Sequence, residues 1–371
     1  MSTPPIRPAT PDLRLARIET ARQSVMHGGA CTAPAVEPWI EHSWRRCLDS
    51  GRRPEQKVGF DAVSGPALRR TLEANRELID AARPVLATLG RAIASTRYFA
   101  ILTNAAGVVV DVNGPIDRTD RRATLITRVG ADLSEASVGT TAIGAALIER
   151  QPVWLHRGEH FFHDTSVYSC AGAPLFGPDG QCVGMLDLTG IEAVERPELR
   201  HLVVRSARSI ENALTLRQQH RLLVRLNWSR GALGDDSDGL ICLDADGWVT
   251  GANPTAHQMV PQLGTMAHQR VHSSDLFAMP FEMLFDAREQ AGVPMELPLW
   301  SGLRLQALAQ APGQLPTGGP VREPLPLKDV EITLIRKAVA DAKGNVQQAA
   351  RALGISRATV YRKLGAGRAA R

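Results

Sequence analysis

Between Gln310 and Pro326 the chain carries five prolines and three glycines. Proline gives no amide hydrogen to a helix or a ladder and glycine weakens both, so this stretch sustains neither a helix nor a central strand. It is a linker, and it divides the 371 residues into a long body and a short tail. If mostly extended it reaches up to ~50 Å, which frees the tail to move relative to the body.

The tail, Pro324 to Arg371, holds ten Lys and Arg against three Asp and Glu, a local charge of +7 in a chain whose total is +5. The body is therefore close to neutral, and the cationic character is concentrated at one end. Asn345 is a good N-cap for a short helix whose Val346, Ala349, Ala350 and Leu353 recur at helical spacing. Gly354 ends that helix, Ile355 plugs the turn, Ser356 caps the next, and Val360 and Leu364 bury one face. Arg357, Thr359, Arg362 and Lys363 are left outward. This is the pattern of a helix-turn-helix with a cationic recognition face for double-stranded DNA. Ser356 and Arg357 open the recognition helix and reach base edges first, Arg357 being suited to bidentate contact with guanine. Thr359 and Arg362 follow one turn on. Lys363, Tyr361, Arg368 and Arg371 are placed to hold the phosphate backbone, Tyr361 with packing on the preceding helix as the alternative. Upstream, Leu327, Glu331, Leu334, Ile335, Ala338 and Ala342 at helical steps predict a third helix over the same unit, a minimal core that dimerisation would help.

In the body, a β-rich run, a turn and a second β-rich run recur three times. They are Tyr98–Asn104 with Val108–Val112, Cys170–Phe176 with Gln181–Leu188, and Gly239–Leu243 with Trp248–Thr250. Asp179-Gly180 and Asp246-Gly247 are hairpin cues. Antiparallel hairpins mixed with helices predict an α+β multidomain fold. A helix over Leu133–Arg150 is rich in small residues, which let a backbone lie close to a sheet. A long helix over Pro197–Leu226 carries Leu199, Val203, Ala207, Ile210 and Leu214 at three- and four-residue steps, and its second half is expected to pair between subunits. Asn253-Pro254 starts another helix after the third hairpin. Ser274–Asp286 reads as helical and Pro298–Leu308 as closing strands. Pro34–Pro84 reads as helices anchored by Trp39, Trp44 and Leu48. The expected order is a disordered 1–33, a helical region 34–84, a sensor with a long C-terminal helix 85–226, a short degenerate module 232–309, the linker 310–326 and the DNA-binding unit 327–371.

Met1–Thr20 is proline-rich with no apolar core of a signal peptide, and no 18-residue apolar run occurs, which places the chain in the cytoplasm and off the membrane. Five cysteines without a C-x-x-C pair indicate neither a disulfide framework nor a zinc finger. His156, His160 and His163, near Glu159, Asp164 and Cys170, are the only cluster of metal-ligand types. They lack the His-Glu order of a zincin and any supporting shell, so no metal or other cofactor is expected. No nucleophile elbow, dinucleotide fingerprint or catalytic constellation supports an enzyme.

Several of these segments together resemble the bacterial enhancer-binding transcriptional regulators of the acetoin catabolism regulator type. They are Ser43-Trp44-Arg45-Arg46-Cys47 with Gly51, Gly139-Thr140-Thr141-Ala142-Ile143-Gly144, Glu159-His160-Phe161, Cys170 to Pro174, Asp246-Gly247 with Ala252-Asn253-Pro254, and the tail. The resemblance implies a GAF-like sensor, a PAS-like module and a Fis-type helix-turn-helix. It implies a small-molecule effector, with Thr140, Thr141, His160 and Cys170 as candidate ligand contacts; a small, apolar pocket there suits aldehydes, ketones, alcohols or aromatics. Cys170 is otherwise an inert buried thiol. Thr141 stands where the family usually has Asn, a change at a cap or a pocket contact. That family also carries a central ATPase domain, yet this chain contains no Gly-Lys dipeptide and hence no phosphate-cradling G-x-x-x-x-G-K-[ST] loop. The expected output is DNA binding by a homodimer without ATP hydrolysis, recruiting or obstructing RNA polymerase. The alternative is a co-regulator or anti-activator that pairs with an ATPase-containing relative.

Overall fold

A computed structural model of the chain describes residues 11–27, 36–228, 233–266, 268–289 and 292–313, together with Val346, Gln347 and Ala350. The chain divides into two compact units, Met1–Pro316 and Thr317–Arg371. Ser356, Arg357, Thr359, Tyr361, Arg362 and Lys363 lie outside the described residues, as do the linker from residue 314 and the helix expected upstream of the helix-turn-helix.

Helices α1 (Pro11–Met26), α2 (Pro38–Asp49), α3 (Gly65–Ala74) and α4 (Arg76–Ala92) precede the first sheet. Of the stretch 1–33 expected to be disordered, residues 11–26 form helix α1. Its stripe of Ile18, Ala21 and Val25 is narrow and easily overlooked, but all three are buried against the domain. The first sheet is antiparallel, in the order β2-β1-β5-β4-β3. Strands β1 (Tyr98–Asn104) and β2 (Val109–Asn113) form its first hairpin. Here the Asn104 side-chain oxygen accepts from the amides of Ala106 and Val108, both at 3.0 Å, a side-chain turn that leaves Gly107 at φ +80°.

Three short helices follow: α5 (Arg121–Ile126), α6 (Glu135–Val138) and α7 (Ala142–Glu149). The single helix expected over Leu133–Arg150 is thus two, because Gly139 between them adopts φ +69° and packs on Phe162, which a Cβ would approach to 2.7 Å. Strand β3 (Val153–His156) then pairs with β4 (Tyr168–Phe176), which pairs with β5 (Cys182–Ile191). Alternation along β1 sorts the core: Phe99 and Ile101 face α2 and the α5–α7 side, while Tyr98, Ala100 and Leu102 face α4 and α8 (Leu199–Leu216).

Helix α8 ends ten residues before the expected Leu226. Beyond it, Leu222–Trp228 forms β6, the middle strand of a second antiparallel sheet ordered β8-β7-β6-β10-β9. Leu222, Val224 and Leu226 of β6 enter one core, while its other face carries Leu223, packed with Leu240 and Cys242, followed by Arg225 and Asn227. Its apolar–polar alternation covers only Val224–Trp228 and follows directly on a helical stripe, so the strand is easily taken for the end of a helix. Strands β7 (Gly239–Leu243) and β8 (Val249–Ala252) make the third hairpin. Helices α9 (Pro254–Met259), α10 (Ser273–Leu276) and α11 (Glu282–Glu289) cover the larger core, and β9 (Met295–Pro298) and β10 (Arg304–Gln310) close the sheet. The helix expected over Ser274–Asp286 is therefore broken between Leu276 and Glu282, a stretch that contains Pro280.

Helix α8 packs against β4 and β5 of the first sheet and also meets β7 of the second, where the Cys242 thiol donates to the Thr215 carbonyl at 3.4 Å. The second half of the expected long helix joins two sheets of one chain. No described helix is long and apolar enough to cross a membrane.

Candidate functional site

The corner between α6 and α7 is held from outside by α2. Arg46 donates to both carboxylate oxygens of Glu135, at 2.7 and 2.9 Å, and Ser43 donates to the same carboxylate at 2.6 Å. Thr140 is fully buried, 2.7 Å from the Ser43 hydroxyl and 3.8 Å from the Cys47 thiol. The Ser43 hydrogen is committed to Glu135, so Thr140 donates to Ser43 or to the thiol. Trp44 donates to the Glu159 carbonyl at 2.9 Å. The Ser43–Cys47 segment is thus the face of a helix clamped onto the next layer.

Inside this corner lies a cavity of about 30 Å³ against the sheet, room for roughly two water molecules or a small organic group. Apolar side chains such as Phe60, Ile101, Leu133 and Ile143 form most of its lining, and Thr141, His160, Tyr168, Cys170 and Thr189 add polar atoms. Of the four ligand contacts expected, Thr141, His160 and Cys170 come together here, while Thr140 is turned away toward α2. Thr141 has two tasks: it lines the cavity, and its hydroxyl oxygen caps α7 by accepting from the Gly144 amide at 3.2 Å. The close approach of α7 to the sheet depends on Gly172, where a Cβ would lie 3.1 Å from the Ala142 carbonyl oxygen.

The polar side of the cavity is a connected chain. His160 Nδ1 lies 3.0 Å from the Arg157 carbonyl, its Nε2 lies 3.7 Å from the Cys170 sulfur, and that sulfur is 3.3 Å from the Thr189 hydroxyl. Thr189 donates to the Asp187 carboxylate. Burial lowers the His160 pKa to about 4, raises that of Asp187 to about 7 and pushes the Cys170 thiol well above its ordinary value. Asp187 and Thr189 carried no signal in the sequence beyond alternate positions on a strand. His156 is buried and 2.8 Å from Ser169, whereas His163 and Asp164 are exposed. Among the described residues no three His, Cys, Asp or Glu converge as metal ligands do.

The loop that supplies His160 is tied down by α1. The buried Arg22 guanidinium donates to the carbonyls of Gly158 at 3.2 Å, His160 at 2.5 Å and Phe161. Arg14 adds ion pairs to Glu159 and Glu195. A second buried network leads away from the cavity's domain. Asn212 on α8 accepts from Asn253 at 2.7 Å, Asn253 donates to the Asp238 carbonyl at 2.8 Å and caps α9 through the Ala256 amide at 2.8 Å. The Asp238 carboxylate pairs with Arg225 at 3.3 Å, and Arg225 donates to Gln310 at 2.8 Å, where β10 ends and the Pro/Gly stretch begins.

Comparison with known proteins adds the following. Residues 15–212, more than half of the chain, match the family model described as MimR, N-terminal domain, and residues 326–366 match that of the bacterial regulatory proteins of the Fis family. The chain is 31% identical to the acetoin catabolism regulatory protein of Cupriavidus necator over 67% of its own length and 38% of the relative's. It is 29% identical to the propane 2-monooxygenase operon transcriptional activator MimR of Mycolicibacterium goodii over 56% of its own length and 34% of the relative's. It thus spans little more than a third of the length of either. Among solved structures, one chain of the Escherichia coli DhaR(N)–DhaL complex aligns over 74% of this chain and 99% of its own, at 17% identity and a TM-score of 0.46.

Proposed function

The chain belongs to the family described as MimR, N-terminal domain, with a Fis-family helix-turn-helix at its C-terminal end, and from that premise we propose that it is a sequence-specific DNA-binding transcriptional regulator controlled by a small neutral effector in the α6–α7 cavity. The observation that carries this is the cavity itself: it is mostly apolar, has a few converging polar atoms, and among the described residues no charged side chain lines it, with His160 held neutral by burial. In this reading effector binding biases α8, the Asn212–Asn253–Asp238–Arg225–Gln310 network carries the bias to the end of β10, and the tail reads DNA as a dimer. Output is DNA occupancy without ATP hydrolysis, since the chain has no Gly-Lys dipeptide for a phosphate loop.

The test is the pair Arg357→Ala and Arg362→Ala in the full chain, measured as binding to a duplex enriched from a random library. A reader loses about 1–3 kcal/mol per good base contact. Specific binding that survives both substitutions refutes the assignment of these residues. A wild type that finds no specific site alone, but does so mixed with an ATPase-containing relative, supports the co-regulator reading instead.

A further inference from the structure

We propose that the α6–α7 cavity selects effectors that donate a hydrogen bond, a small neutral alcohol in preference to the ketone of the same skeleton. This rests on the cavity being the effector site, and it follows from counting the hydrogens its walls can give and take.

His160 Nδ1 lies 3.0 Å from the Arg157 carbonyl, which can only accept. Nδ1 therefore carries the ring hydrogen, and in the neutral ring Nε2 is a bare lone pair facing Cys170. The Cys170 thiol has one hydrogen to give and two neighbours to receive it, Nε2 at 3.7 Å and the Thr189 oxygen at 3.3 Å. Thr189 has spent its own hydrogen on Asp187. Whichever way the thiol turns, an acceptor on His160 or Thr189 stays unfilled. The remaining hydroxyls of the lining add no hydrogen except one. Tyr168 gives its hydrogen to the Arg122 carbonyl at 3.4 Å, and Thr165 gives its hydrogen to the Phe162 carbonyl at 2.9 Å. Thr141 accepts from the Gly144 amide, leaving its own hydrogen uncommitted. Behind Thr189, on the same face of β5, one carboxylate oxygen of the fully buried Asp187 has no partner among the described residues.

The lining thus offers one hydrogen, from Thr141, and an excess of acceptors. An alcohol meets both needs: its oxygen accepts from Thr141, and its hydrogen goes to His160 Nε2 or Thr189. A ketone satisfies Thr141 and leaves the acceptors empty among mostly apolar walls, and a hydrocarbon satisfies neither. An unfilled buried acceptor is the kind of loss by which hydrogen-bonding sites reject analogues that lack a donor. A cation is disfavoured because no charged side chain among the described residues lines the cavity.

The matched probes are 2-propanol and acetone, the smallest alcohol and ketone of one skeleton, titrated into the full chain at pH 8, where the Asp187 carboxyl, raised to about 7, is ionised. Dissociation constants are read by NMR. The alcohol is expected to bind about tenfold tighter, the scale of one buried hydrogen bond. Thr189→Val should bring the two within about twofold. Asp187→Asn keeps the shape and supplies amide hydrogens, so it should shift the preference toward the ketone. That comparison stands if Thr189→Val fails to fold. Equal or tighter binding of the ketone by the wild type overturns the donor rule while leaving the effector site intact, as does a preference unchanged in both variants. If neither probe perturbs signals of cavity residues, the effector-site reading falls and the donor rule with it.

Discussion

Replacing Arg22 with Met tests whether α1 is part of the sensor or an appendage. Met keeps the apolar stem but offers nothing to the carbonyls of Gly158, His160 and Phe161, which the guanidinium now satisfies. Breaking a hydrogen bond to a charged group costs about 1.5–3 kcal/mol, and three acceptors are left at once. Relief from burying the guanidinium, whose pKa burial lowers, works in the opposite direction. The balance is a loss of ~2–4 kcal/mol, felt first as local opening of the Arg157–Ser166 loop. Cys170 lies behind that loop against His160, so its labelling by a thiol reagent, followed by peptide mass spectrometry under native conditions, reports the opening. A drop of ~2–4 kcal/mol in opening free energy accelerates labelling by ~30- to 1000-fold. Labelling within about threefold of wild type, with an unchanged urea midpoint, would refute the clamp.

Three further outcomes follow from the same geometry. Thr141→Ala should destabilise by about 1 kcal/mol through loss of the α7 cap, while Thr141→Asn, which can still accept from the Gly144 amide, should stay within about 0.5 kcal/mol; equal losses in urea melts would contradict the capping role. Asn253→Ala removes the α9 cap and the bridge from α8 to the second sheet, so it should cost ~2–4 kcal/mol and split a single thermal transition into two; one unshifted calorimetric peak argues against the bridge. Burial raises the Glu211 carboxyl to about 8, above its ordinary ~4.3, so the fold favours the protonated form. That contribution is full below about pH 4.3 and is lost as pH rises through about 8. Glu211→Gln should therefore flatten the fall of the denaturant midpoint between those limits. It should not abolish the fall, because Glu159 and Asp187, each raised by burial to about 7, titrate in the same direction. Parallel curves for variant and wild type would contradict this.

The hairpins were legible because their turns are made by local chemistry. Asn104, Asp179 and Asp244 each accept from backbone amides two residues on, and a glycine follows at positive φ in every case. The cap of α9 was legible for the same reason, Asn253 being followed by Pro254. What escaped was set by tertiary contact. Strand β6 alternates apolar and polar residues only over Val224–Trp228, too short a run to separate it from the end of α8, and its Arg225 is fixed by Asp238 and Gln310 from distant parts of the chain. Helix α1 is secured by Arg22 and Arg14 reaching distant partners, contacts that a hydropathy pattern does not encode. At the cavity, Thr141, His160 and Cys170 were marked by their neighbours in sequence. Asp187 and Thr189 were not, since a buried carboxyl on a central strand acquires meaning only from the residues that the sheet places beside it.

The claim that this is a DNA-reading regulator is tested most directly by the affinity of the full chain for an enriched duplex and for its scrambled version across a salt series. The tail concentrates seven basic residues and no acidic one from Ala342 onward. Affinity for both duplexes should therefore fall linearly on log–log axes with added salt, while the enriched sequence keeps a preference of ~10³-fold or more. Indistinguishable affinities for the two duplexes at every salt concentration would contradict the account.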